Sequence, residues 1–333
     1  MAHIKDVAAR AGVSVATVSR VLNHNPRVKA RLREQVLQAI ADLDYRPSGI
    51  ARNMRGQSVR VIGLIISDIQ NPFFTTLVRA VEDVAHQNQY TVLLCNSDED
   101  PQKEQLYVDV LSRERVAGVI IVPTDKDCCS PLLNGRIPVV MVDRKVPGLD
   151  TDSVVLDNVA GAYQATAHLT GLGHRRIGLV SAPLRVSVGL ERRQGYERAL
   201  QERGLPVDET LICVGNFKES GGYEAAKELL GLDPRPTAIF AVNNLMTMGT
   251  LQAIYEQGLQ IPRDISLVGF DDLPWFPLLV PPLTAVGQPT YQIGAEAARL
   301  LFHRLREGAQ DPVRAVVLQP ELIVRGSTAA PAS

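Results

Sequence analysis

The chain has 333 residues with 45% apolar and 21% charged side chains, ordinary globular usage, and 35 basic against 36 acidic residues, a net charge of −1. That total averages two opposed parts: residues 1–60 carry eleven Lys/Arg and four Asp/Glu, a net +7, and the remainder carries 24 and 32, a net −8. No apolar run approaches the roughly 20 residues of a membrane helix, and residues 1–25 hold no continuous apolar stretch, so neither a membrane protein nor a secretion signal is expected.

The basic head comes first. Ile4, Val7, Ala8 and Ala11 fall on one helical stripe, and Gly12 stands where a helix stops in the left-handed conformation. Ser14 then suits the N-cap of a second helix, whose inner face is expected to be Val15, Val18, Val21 and Leu22. A third stripe, Leu32, Val36, Ala39, Ile40 and Leu43, closes a small three-helix unit. Two short helices joined through Gly-Val-Ser predict a helix-turn-helix, and the +7 charge suits a polyanion. Arg20 can reach a guanine edge or a phosphate; Thr17, Ser19 and Asn23 suit phosphate contacts; Val15 and Ala16 can touch thymine methyls. Pro47 halts the third helix region, and Ser48 can cap a short hinge helix over 48–55, too short to stand alone in water.

From residue 60 the pattern becomes apolar strands alternating with helical stretches. Strands are predicted at 60–66, 91–94, 118–122, 139–142, 177–180, 211–214, 238–241 and 266–269, with helices such as 75–87, 160–170, 191–203 and 224–230 between them. This alternation predicts parallel sheets covered on both faces, arranged as two doubly wound lobes with a ligand at the strand carboxyl ends. Strand ends gather polar and aromatic residues: Ser67 and Asp68, Asn71-Pro-Phe73-Phe74, Asp143-Arg144, Asn243-Asn244, Asp271-Asp272 and Gln288, with Arg192 and Phe217 at element edges. Carboxylates and amides accept from sugar hydroxyls, Arg donates to them, and phenyl rings cover the apolar face of a sugar.

Enzyme chemistry finds no foothold. The glycine cluster 171–178 has the wrong spacing and element order for a dinucleotide loop, and no phosphate-binding loop is present. The six histidines (His3, His24, His86, His168, His174, His303) show no relay or ligand spacing. Cys95, Cys128, Cys129 and Cys213 form no Cys-x-x-Cys pair, so reduced thiols in the cytoplasm, no structural metal and no cofactor are expected.

Ile4-Lys-Asp-Val-Ala-Ala-Arg-Ala-Gly-Val-Ser-Val-Ala-Thr-Val-Ser-Arg-Val-Leu-Asn23 and Tyr45-Arg-Pro-Ser-Gly-Ile-Ala-Arg-Asn-Met-Arg55 resemble the signatures of the LacI/GalR family of bacterial repressors, and the resemblance runs through the core. It implies base reading by Val15, Ala16 and Arg20, a hinge helix at 48–55, and an apolar wedge at Met54 in place of the family's usual Leu. The implied DNA-facing set is Ser14, Val15, Ala16, Thr17, Ser19, Arg20, Asn23, Arg27, Ala51, Met54 and Arg55.

The core is similar to type I periplasmic sugar-binding proteins of the ribose-binding kind. This implies an effector set of Ser67, Asn71, Phe73, Phe74, Asp143, Arg144, Arg192, Phe217, Asn243, Asp271 and Gln288. Val122 stands where that type has an amide, and Asn244 where it has an acid, which leaves the sugar's identity open.

The expected architecture is therefore an all-α helix-turn-helix domain (1–46), a hinge (47–59) and an α/β effector-binding and dimerisation core (60–333). Its N-lobe would span about 60–159 plus 290–320 and its C-lobe 160–289 plus 321–333. The expected function is a homodimeric repressor on a palindromic operator, controlled by a ribose-like monosaccharide or related polyol, with induction the expected direction. The other readings are a purine or sugar-acid effector, or a sugar transport receptor without DNA function; the basic head argues against the last.

Overall fold

The computed structural model describes residues 3–22, 25, 27–43, 60–124, 129–307 and 312–331. The chain divides into two compact units, Met1–Val59 and Arg60–Ser333. Asn23 and the hinge positions 47–59, with Ala51, Met54 and Arg55, lie outside the described residues.

In the smaller unit, α1 (Ile4–Arg10), α2 (Val15–Leu22) and α3 (Ala30–Asp42) enclose a core centred on Val7, Val18 and Val36, all fully buried. Gly12 takes φ +64°, which ends α1 and turns the chain. The Ser14 Oγ accepts from the Thr17 amide at 3.2 Å, so the predicted cap is present. Val15 departs from expectation: it is 41% exposed rather than part of the inner face. As the first residue of α2 it stands a turn ahead of Val18 and Val21, which close the contact with α1 and α3.

The larger unit runs β1 (Val61–Ile66), α4 (Pro72–Gln87), β2 (Thr91–Asn96), α5 (Pro101–Arg113), β3 (Val119–Ile121), α6 (Ser130–Asn134), β4 (Val139–Val142) and β5 (Asp152–Leu156). It continues with α7 (Asn158–Gly171), β6 (Ile177–Ser181), α8 (Ser187–Glu202), β7 (Ile212–Val214), α9 (Glu219–Leu230), β8 (Ala238–Ala241) and α10 (Asn244–Glu256). The last elements are β9 (Ser266–Phe270), β10 (Thr284–Gly287), α11 (Thr290–Glu307), β11 (Ala315–Leu318) and β12 (Glu321–Ile323). One sheet has the order β11-β5-β4-β3-β1-β2 and is parallel throughout. The other has the order β12-β10-β9-β8-β6-β7, parallel except for β12.

The sequence explains the two-sided burial. In β1, Ile62, Leu64 and Ile66 face the core shared with α4 and α11, while Ile65 faces the core shared with α5 and α6. A continuous apolar strand is what a parallel sheet covered on both faces requires. The chain passes between the lobes three times: from β5 to α7, from β10 to α11 and from β11 to β12.

Helices begin earlier than apolar periodicity suggests. The stretch expected at 75–87 starts at Pro72, because Asn71 caps it: its Oδ1 accepts the Phe73 amide at 2.9 Å. Likewise the stretch expected at 160–170 starts at Asn158, capped by Asp157. Among the described residues no helix is long and apolar enough to cross a membrane.

Candidate functional site: a polar pocket between two sheets

Corresponding strands of the two sheets end in corresponding ways. Asp143 follows β4 and Asp271 follows β9, both in the left-handed region at φ 67° and 69°. The Asp143 amide donates to Val154 O at 3.0 Å and the Asp271 amide to Val286 O at 2.8 Å, in each case on the neighbouring strand. Each lobe therefore turns its fourth strand in chain order out of the sheet with the same device and presents one aspartate. Glu99, beyond β2, and Phe217, beyond β7, are also left-handed, at φ 60° and 66°. Non-glycine residues are held there at some cost, which the surrounding hydrogen bonds offset.

These turns deliver one pocket, lined by Asp68, Asn71, Phe73, Phe74, Glu99, Asp143, Arg144, Val188, Arg192, Phe217, Asn243, Asp271 and Gln288. Ten of the eleven expected effector residues are among them. The exception is Ser67, fully buried at the end of β1 and outside the lining; its Oγ has no hydrogen-bond partner among the described residues.

The two arginines differ. Arg144 is held by Glu99 through a bidentate pair, 2.7 and 2.5 Å, and its guanidinium lies 4.8 Å from the Phe217 ring centre. Burial works most strongly against its charge, but Glu99, Asp143 and Glu104 together outweigh burial and keep it protonated more firmly than usual. Arg192 is bonded only to neutral groups, Asn158 Oδ1 at 2.9 Å and Val242 O at 2.5 Å, and lies 3.7 Å over the Phe270 ring. Burial pulls its pKa down despite Asp271 and Asp143 nearby. Arg192 thus has the charge least neutralised by direct bonds.

Burial also dominates the carboxylates. It pushes Asp143 up to about 6, against the pull of Arg144 and Arg192. It raises Asp271 as well, against Arg192 and a short hydrogen bond from Gln288 Nε2. Two polar atoms of the lining, Arg144 Nε, which stands 3.6 Å from Asp143 Oδ2, and Gln288 Oε1, are buried without a hydrogen-bond partner among the described residues. A donor and an acceptor left unmade in one pocket are costly unless something completes them.

Other expected residues shape the pocket. Asn243 caps α10 through the Met246 amide and donates to Phe217 O at 3.1 Å. Asn244 donates to Asn71 Oδ1 at 2.8 Å, from one lobe to the other. Asp272 turns away to a bidentate pair with Arg325. Lys218 bridges Asp68 and Asp98 across the lobes at 2.7 and 2.6 Å. Glu99, Val188 and Lys218 were not legible in the sequence. Glu99 sits in an acidic run that reads as solvated loop, and only the turn at 98–99 brings it to Arg144.

In the head unit, α2 presents Val15, Ala16 and Arg20 as exposed side chains, with Ser14 exposed before it and Thr17 and Ser19 half-buried. Arg27 is also exposed. No group of three or more His, Cys, Asp or Glu among the described residues is arranged to hold a metal.

A helix-turn-helix unit together with a two-sheet core holding a buried polar pocket defines a DNA-binding regulator with a small-molecule-binding core. Residues 3–48 match the lacI family of bacterial regulatory proteins, and residues 166–328 match the periplasmic binding protein-like domain. The chain is 36% identical over 331 residues to the HTH-type transcriptional repressor PurR of Mannheimia succiniciproducens, with 98% of each chain covered. It resembles a LacI family regulator from Enterococcus faecium solved with bound ribose (TM-score 0.73, 31% identity, 82% of this chain and 100% of that one). It also resembles the lac repressor dimer bound to operator (TM-score 0.76, 28% identity, 99% of both chains). The chain belongs to the LacI family. It is a DNA-binding transcriptional repressor rather than an enzyme.

Proposed function

We propose that this repressor is controlled by a small sugar, a ribose-like monosaccharide or related polyol, bound in the pocket between the two sheets. One observation carries the reading: two buried carboxylates, Asp143 and Asp271, face two buried guanidiniums, Arg144 and Arg192, with Arg144 Nε (3.6 Å from Asp143 Oδ2) and Gln288 Oε1 making no hydrogen bond among the described residues. A hydroxyl both donates and accepts, so a polyol can complete both atoms at once. The phenyl rings of Phe73, Phe74 and Phe217 supply apolar cover, and the ribose-bound relative supports the same class. In this reading Ser67 supports the pocket floor, and the other ten residues contact the ligand.

The head, about residues 1–46, would read one half of a palindromic operator through Ser14, Val15, Ala16, Thr17, Ser19, Arg20 and Arg27, in the cytoplasm. Asn23, Ala51, Met54 and Arg55 keep the roles implied by family resemblance. Pairing as a homodimer has candidate surface in the core: edge strand β2 exposes Leu93 and Leu94, α5 exposes Leu106 and Val110, and Leu278 and Val280 are 78% and 90% exposed.

The test is a thermal-shift screen of pentoses, hexoses and purines, followed by operator gel shifts with each hit at low and high salt. A sugar hit that releases the operator is the expected result, with DNA binding falling steeply with salt. A purine is the second reading, favoured by the three phenyl rings around the pocket, and purine hits without sugar hits would replace the sugar.

A further inference from the structure

Beside the sugar pocket, and sharing Arg144 with it, lies a second recess lined by Pro101, Pro123, Thr124, Arg144, Lys145, Val146, Pro147, Arg185, Val186 and Ser187. Among the described residues its lining is one-sided: three cations and no carboxylate. Arg144 is neutralised by Glu99, but no ion-pair partner of Lys145 or Arg185 is found among the described residues. The recess also receives the N-terminus of α8, 16 residues long, which has no side-chain cap and no acid in its first turn. Such an end carries unsatisfied amides and a partial positive charge.

A further observation points to a ligand. Thr124 lines the recess and is 95% buried by its 5% relative exposure, yet its Oγ1 has no hydrogen-bond partner among the described residues. Its amide is already used, donating to Glu104 Oε2 at 2.8 Å. The recess spans both lobes, since the Lys145 amide donates to Ser187 Oγ at 3.1 Å.

We propose that this recess is an anion subsite continuous with the sugar pocket, so that the effector is a sugar bearing an anionic arm, a phosphate monoester or a carboxylate. The inference rests on the sugar reading above and deepens it. The polyol would occupy the Asp143–Asp271 pocket. The arm would pass Arg144 and reach Lys145, Arg185, the first amides of α8 and the Thr124 hydroxyl. A helix end plus two cations, half-buried Lys145 and exposed Arg185, is the standard chemistry of phosphate capture.

The experiment measures calorimetric affinity of the full-length protein for D-ribose and D-glucose beside ribose 5-phosphate, glucose 6-phosphate and gluconate. At least one charged ligand should bind about tenfold or more tightly than its neutral parent, a margin that shrinks as salt rises. Whether the phosphates or gluconate show it separates the two kinds of arm. The double variant Lys145→Ala/Arg185→Ala should erase the margin while leaving affinity for the neutral parent within about twofold. Thr124→Val should reduce the margin in part, and circular dichroism checks its fold. Equal affinity of parent and charged ligand, or a double variant that weakens both alike, overturns the subsite and leaves the sugar reading standing. Binding by none of the five overturns both.

Discussion

Asp143 is the residue whose chemistry is most exposed to test. Burial lifts its pKa to about 6 from the ordinary 3.8. In the free protein its neutral form predominates below about pH 6, so its contribution to stability is fully present below the unfolded value, near 4, and is lost as pH rises through about 6. A carboxylate that accepts sugar hydroxyls is favoured charged, so ligand binding drives its ionisation. Sugar affinity should therefore fall by about tenfold per pH unit below 6 and level off above about 7. Asp143→Asn should bind weakly and lose this slope; a flat calorimetric profile from pH 5 to 7.5 in the parent protein would remove Asp143 from the ligand contacts. In the head, Arg20 is exposed on α2 and contributes nothing to the core around Val7, Val18 and Val36. Arg20→Ala should leave the melting temperature unchanged and weaken specific operator binding by about 1–3 kcal/mol in a gel shift.

Among elements, the helix pairs of the second sheet decide how closely its cover packs. Gly249 on α10 sits against α9 so tightly that a Cβ would stand 2.0 Å from Glu219 O and 2.6 Å from the Tyr223 amide nitrogen. Gly222 on α9 meets Met246 backbone in the same way, and Gly195 on α8 meets Val159 O of α7 at 2.3 Å. Backbone cannot rotate aside, so Gly249→Ala should cost about 1–3 kcal/mol in denaturant titration. Gly171→Ala, facing open space within a helix end, should cost nothing. These close approaches explain what the sequence concealed. α7 and α10 bury small residues, among them Gly161, Ala162, Gly249 and Thr250, so neither shows a clear polar stripe. Strands with continuous apolar runs, β4 and β8, were legible to the residue. The strand β5 was not, because Asp152 opens it and is buried through a bidentate pair with Arg304 and a hydrogen bond from the Arg314 amide.

Over the whole molecule, charge and ligand chemistry are divided between two units. The strand-end rule located the pocket from sequence because parallel sheets present their loops at one end. Its supporting residues escaped, since their roles depend on partners far away in the chain. His174 is an example: it is 1% exposed, bonded to Thr237, Ser266 and Ala329, and burial lowers its pKa, none of which its neighbours in sequence announce. Because Arg60–Ser333 is compact on its own, that fragment should bind the sugar with unchanged affinity and have no operator affinity. Operator retention by the fragment in a gel shift would move DNA recognition out of the head. In the intact protein, linkage requires that operator and effector change each other's affinity by the same factor.

The matched turns at Asp143 and Asp271 carry a pharmacological consequence. Each lobe contributes one aspartate, so occupancy and response are separable properties of a ligand. An analogue deoxygenated on the edge facing one lobe would keep a single aspartate and fill the pocket while bonding to one lobe only. Such a compound would be a competitive antagonist of the natural effector, and deoxy and fluoro sugars are the series in which to seek it.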